Sequence, residues 1–186
     1  MVSVMSLWLP ALISAVLCFF LSSLVHMVFK WHNKDHQAIP QEDRVLKSMR
    51  DAGITKGSYA FPWPGEGQSW GSPDMLERYQ QGPSGFLRVL PLGPPQMGKS
   101  LMQWFAYLLL VGFGVAWILS LTMSAGAAYK TVCQTVAISA GMAHILAQLV
   151  PFIWMGQPWR ATLLHILDGV FYALLTAGSF AWLWPR

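Results

Sequence analysis

Apolar residues fill four long stretches of this chain, residues 4–29, 101–123, 132–154 and 163–184. Each is longer than the ~20 residues that a helix needs to cross the hydrocarbon core of a bilayer. Inside lipid, backbone N–H and C=O groups must pair within the protein, so a crossing segment is a helix or part of a closed barrel. None of the four alternates with period two, which leaves helices. The pattern predicts an all-α membrane protein. It is a four-helix transmembrane bundle, with residues 30–100 forming a small α+β domain between helices one and two.

The first stretch is expected to be a retained anchor rather than a cleaved signal peptide. A signal peptide has a basic start and an apolar run of about 7–15 residues. Here no charged side chain precedes Val4, the run is longer, and Lys30-Trp31-His32 follows it.

The polar stretch carries shorter signals. Gln41-Glu42-Asp43 put acids in a first turn after Pro40, and Gly53 supplies a stop. Val45, Leu46 and Met49 share one face, and Asp43 and Lys47 form an i,i+4 pair, so a helix is predicted over 40–52. Ser72-Pro73-Asp74 reads as an N-cap followed by proline at N1, with Gly82 closing a second helix. Residues 58–61 and 86–92 read as extended, and prolines at 62, 64, 91, 94 and 95 confine them to short or edge strands. Such a core is small, and the cap is expected to rest on the membrane face. Phe61, Trp63 and Trp70 lie in its glycine- and proline-rich loops. They either fill the cap's own core or contact lipid headgroups or a partner.

Helices in lipid associate through close packing of small residues and a few hydrogen bonds. Each apolar stretch has a small-residue stripe: Ala11, Ala15, Cys18, Ser22; Gly112, Ala116, Ser120, Ser124; Ala137, Gly141, His144, Gln148; and Gly169, Ala173, Ala177, Ala181. These predict a tight antiparallel bundle with little room for a central pore. Short links make helices two, three and four sequential neighbours.

Composition sharpens the class. The chain is 54% hydrophobic and 11% charged, against about 25% charged in a soluble domain. Net charge is +4. That small, dispersed excess suits anionic lipid headgroups and argues against nucleic acid. Cys18 and Cys133 both sit in apolar stretches, so no disulfide framework is expected. Lys30, Lys34, Arg88, Lys99 and Arg160 flank one set of helix ends, whereas Lys130 and Arg186 alone mark the other. Basic flanks favour the cytoplasm, which predicts a multi-pass protein, N-out and C-out, with the cap inside. Trp31, Trp104, Trp154 and Trp159 on one border, and Trp8, Trp182 and Trp184 on the other, are expected to form interfacial belts.

Ionisable groups inside a bilayer are costly and usually face the bundle interior. From helical rise, His26 lies about 5 Å deep, His165 about 7 Å, Gln148 about 9 Å, Asp168 about 12 Å and His144 about 15 Å from the cytoplasmic ends. His165, Asp168, Tyr172 and Thr176 share a face of helix four, and His144 and Gln148 share one of helix three. The candidate site is therefore an intramembrane polar cluster of His144, Gln148, His165, Asp168 and Tyr172, with Asp168 paired to His144 or Gln148. The first reading is a hydrogen-bonded staple between helices three and four. The alternatives are a proton-handling site or a small polar cavity, since histidine with carboxylate moves protons near neutral pH. A haem is disfavoured because His144 and His165 differ in depth by roughly 7 Å. Zinc is disfavoured because one Asp–His pair supplies too few ligands.

Two motif matches point elsewhere. Gly93-Pro94-Pro95-Gln96-Met97-Gly98-Lys99-Ser100 fits the phosphate-loop pattern GxxxxGK[ST]. It leads into a membrane span, no magnesium-binding acid follows, and its two prolines lack the N–H groups that cradle phosphate. It reads as a turn with Lys99 at the headgroups and Ser100 capping helix two, so nucleotide is not an expected ligand. His32 and His36, with Asp35 between them, would suit a divalent ion on a helix but offer only two or three ligands. This segment reads as a solvated extension anchored by Trp31.

The segments Trp31-His32, Ile39-Pro40-Gln41-Glu42-Asp43, Gly57-Ser58-Tyr59-Ala60-Phe61-Pro62, Gly93-Pro94-Pro95 leading into Gln103-Trp104-Phe105, and Leu175-Thr176-Ala177-Gly178 through Trp184-Pro185-Arg186 carry a resemblance. Over nearly its whole length the chain resembles a family of small four-helix bacterial inner-membrane proteins. The resemblance implies that location and no known activity. The expected function is a non-enzymatic accessory or scaffold subunit whose cap touches a protein partner, without a cofactor. The rival is a small transporter or proton-coupled carrier working through His144, His165 and Asp168.

Overall fold

Helices long and apolar enough to cross a membrane dominate the computed structural model, which describes residues Met1–Arg186. A 3₁₀ turn, Val4–Leu7, leads into α1, Trp8–Ser23. The helix widens into a π-helical stretch, Leu24–Phe29, closed by the Lys30 N–H bonding to the Val25 carbonyl. Lys30 itself is left-handed, at φ 53°. The chain thereby turns back into a second 3₁₀ turn, Trp31–Lys34.

Residues 36–95 form a separate unit. It holds α2, Glu42–Asp51; β1, Gly57–Phe61; α3, Pro73–Gln81; and β2, Gly85–Val89. Ser72 caps α3 by accepting from the Met75 N–H, with Pro73 in the first turn, as the cap signal predicts. The strands pair antiparallel, Gly57 opposite Val89 and Phe61 opposite Gly85. The second ends at Val89 rather than 92, because Pro91 cannot extend the ladder. Lys47 pairs with Asp51 instead of Asp43, which leaves the Asp43 carboxylate at the positive end of α2. Met75 is the only fully buried large side chain of this unit, while Phe61, Trp63 and Trp70 are exposed. The aromatics thus do not form the cap's core. Trp63 and Trp70 meet edge to face instead, with centroids 5.1 Å apart.

The remaining long helices are α4, Met97–Thr122; α5, Tyr129–Ile145; a 3₁₀ turn, Leu146–Gln148, with α6, Leu149–Met155; and α7, Trp159–Trp182. α4 starts as soon as Pro94-Pro95 permit, four residues earlier than the apolar pattern suggests. Ser100 therefore lies within its first turn and is not its cap. The break after α5 has a local cause: Pro151 cannot donate to the carbonyl four residues back and its ring crowds it.

α7 packs on both α5 and α1, and α1 packs on α4, which touches α5 less extensively. The small residues set these approaches. A Cβ on Gly112 would lie 3.1 Å from the Ala11 carbonyl oxygen, and one on Gly169 would lie 2.9 Å from that of His144. The stripes on α1 and α7 are buried as expected. On α5 the buried residues are Val132, Val136, Ala140, Gly141 and His144, a line displaced from Ala137, and Ser124, beyond the end of α4, is exposed. Phe180, Leu7 and Leu119 fill the far end of the core. There the Val2 N–H bonds to the Met123 carbonyl and the Gly126 N–H to the Pro185 carbonyl.

Of the expected tryptophan belts, Trp8, Trp154, Trp159 and Trp182 are exposed. Trp104 and Trp184 turn inward instead. Trp104 Nε1 donates to Ser22 Oγ at 2.9 Å and Trp184 Nε1 to the Ser124 carbonyl at 3.3 Å. An indole N–H that enters a helix interface needs such a partner.

Candidate functional site

The 3₁₀ turn after α1 places His32 and Asp35 on one side, because a repeat of three residues eclipses positions three apart. His32 Nδ1 donates to Asp35 Oδ2 at 2.6 Å, and its Nε2 donates to Asp168 Oδ2 of α7 at 2.9 Å. A carboxylate accepts and cannot donate, so both contacts are hydrogen bonds only with a proton on each ring nitrogen. The His32, Asp35 and Asp168 side chains are 11%, 6% and 4% exposed, so water screens these contacts weakly.

Two further imidazoles cover the faces of His32. His26 stacks on it at 4.7 Å and 9° between planes, and His165 at 4.6 Å and 21°. His26 Nδ1 donates to the Ser22 carbonyl at 2.9 Å, a bond that fixes the tautomer and leaves a lone pair on Nε2. Arg160, at the start of α7, completes the centre. Its Nη1 donates to Asp35 Oδ1 at 2.9 Å and its Nη2 to the Trp31 carbonyl at 3.2 Å. Arg160 and His32 thus hold the two oxygens of the same Asp35 carboxylate. Asp168 Oδ1 is buried without a hydrogen-bond partner, as is Nε1 of Trp31, the residue before His32.

The predicted cluster is thereby divided. Asp168 and His165 belong to this centre, but the partner of Asp168 is His32, not His144 or Gln148. The cause is the close seat of Gly169 on the His144 backbone, together with the helix break at Leu146–Gln148. His144 packs edge to face with Tyr107 and Tyr172, at 5.8 and 5.6 Å between centroids. Gln148 Nε2 donates to the His144 carbonyl at 3.4 Å. Tyr172 lies in this second, aromatic layer, against Trp104 at 5.9 Å. Cys18 Sγ, donating to the Tyr172 carbonyl at 3.5 Å, joins α1 to it.

His32 and Asp35 are not a solvated extension, whereas His36, the next residue, is exposed. The sequence signal for the pair was their spacing of three rather than the four between the two histidines. Lys99 lies in the first turn of α4, and the strand preceding it is half of an antiparallel hairpin, not of the parallel sheet that a phosphate loop serves. The chain matches no protein-family model, no curated protein and no solved structure.

Proposed function

We propose that the chain is a multi-pass integral protein of a bacterial inner membrane, N-out and C-out, acting as a non-enzymatic accessory or scaffold subunit. Its His/Asp centre anchors the point at which the chain leaves the bundle for the cap. The observation that carries this reading is His32, bonded through both nitrogens and covered on both faces, four residues before residue 36. The outward apolar surface of the four spans supports insertion in lipid: Phe20, Leu110, Trp117, Ile138 and Leu174 are all exposed. The exposed Phe61, Trp63 and Trp70 supply the cap with a surface for a protein partner. The carrier alternative would use the same acidic residue. Beyond Tyr172, however, Ala173, Ala177, Phe180 and Leu119 are buried in contact, which supports a closed interior.

Two measurements test the reading. The chain should remain in membranes after alkaline carbonate extraction, and release into the supernatant would refute insertion. In detergent micelles, trypsin should cut slowly after Lys34 in the wild type. Arg160→Gln should speed that cut about tenfold, the change that loss of ~1.4 kcal/mol of local stability gives. Equal rates in the two proteins would remove the anchor.

A further inference from the structure

We propose that His26, His32 and Asp168 bind a divalent transition-metal ion, of the class that imidazole and carboxylate donors suit, such as zinc or ferrous iron. The inference rests on the anchoring centre described above and adds a ligand to it. One ligand atom from each of the three side chains lies within 4.8 Å of the others.

The hydrogen bonds select these three residues from the five histidine and aspartate side chains present. Metal-bound histidines typically donate their other ring N–H to a carbonyl or a carboxylate, which orients the ring and fixes its tautomer. His26 already donates Nδ1–H to the Ser22 carbonyl. His32 already donates Nδ1–H to Asp35, which Arg160 holds by its other oxygen. Both rings therefore offer Nε2. Asp168 offers Oδ1, a buried carboxylate oxygen that the protein gives no partner. His32, Asp35 and His165 also come together closely enough for a metal, but both Asp35 oxygens are engaged, so that set is the poorer one.

Binding has a defined exchange. The Nε2 proton of His32 leaves to solvent, and the Asp168 carboxylate passes from accepting that proton to holding the ion. Parallel rings do not aim their lone pairs at one point, so the His26 ring must tilt out of its stack on His32. His26 is exposed and free to do so. Two histidines and one carboxylate are a ligand set found in sites that keep further positions for water or substrate.

The test uses the full chain in detergent, stripped with chelator and titrated with Co²⁺ by visible absorbance and with Zn²⁺ by calorimetry. One ion per chain is expected. His26→Gln, His32→Gln and Asp168→Asn should each weaken binding more than about tenfold, and Asp35→Asn about 10–100-fold, as loss of an outer-shell partner does. His36→Gln should bind as wild type does. Circular dichroism checks that each variant folds, and His26→Gln, at an exposed position, keeps the test decisive if the buried variants do not. No uptake by the wild type at micromolar metal, or uptake that survives all three ligand substitutions, overturns the site. Slow cutting at Lys34 in chelator tests the anchor independently, so either idea can fail alone.

Discussion

His32 and Asp168 stand 136 positions apart in the chain and 2.9 Å apart in space, from Nε2 to Oδ2. Between them run the whole cap, two complete long apolar helical segments and the first turns of α7. The contact is therefore a report on the assembled bundle rather than on any one helix, and substitutions at its two ends should be coupled.

Asp168→Leu should destabilise the bundle by about 1–3 kcal/mol, because it strands a buried donor. Asp168→Asn retains an acceptor for His32 Nε2 and should cost less. Denaturant unfolding in chelator measures both. A double-mutant cycle with His32→Gln should show coupling of at least ~0.5 kcal/mol. Strict additivity would mean that the bond carries nothing.

Gly169→Ala should be among the most harmful single-methyl additions in this chain. Its Cβ would meet the His144 backbone at 2.9 Å, and overpacking of this kind costs typically 1–3 kcal/mol. Gly178→Ala, on the same helix, meets nothing within 4 Å and should be neutral or gain ~0.5–1 kcal/mol from helix propensity. The two variants compared by unfolding in detergent give the sign directly.

Single cysteines in a background without Cys18 and Cys133 check sidedness. A membrane-impermeant maleimide should label position 3, where Ser3 is exposed, in intact cells and leave position 68 unlabelled. The reverse pattern would invert the bundle.

Lys99→Ala should leave ATP binding unchanged, because the wild type should bind none stoichiometrically. Lys99 is a residue of the first turn of α4, and the two-stranded hairpin before it lacks a parallel neighbour. Equilibrium dialysis with labelled ATP suffices.

Much of the architecture was legible because the long helices are written as long apolar runs and because caps announce themselves. Ser72-Pro73 and Gly82 bracket α3, and the four spans follow the hydropathy. The centre was legible only in half. Asp168 and His165 stand out as polar residues on an apolar helix, but His32 looked like solvent-facing chain. What brings it in is a left-handed Lys30 after a π turn. A non-glycine residue at positive φ has little local signature, since tertiary contacts impose it. Likewise, period and depth put His144 beside Asp168, but the methyl-free contact at Gly169 lets α7 approach the α5 backbone instead of its side chain.

The π turn at Leu24–Phe29 also makes the centre a matter of counting. Its five-residue closure accommodates one residue more than an α-turn would. Inserting an alanine after Met27, which is exposed, adds a residue that the already widened turn has no room to absorb and rotates everything after it by about 100°. His32 would then leave the face of α7. An insertion variant that kept Lys34 as slow to trypsin as the wild type would show that register is irrelevant. Otherwise the whole centre is gained or lost with a single codon, in a span whose length and oiliness scarcely change. Descendants of one ancestor could thus differ in the presence of this centre while looking alike in every hydropathy profile.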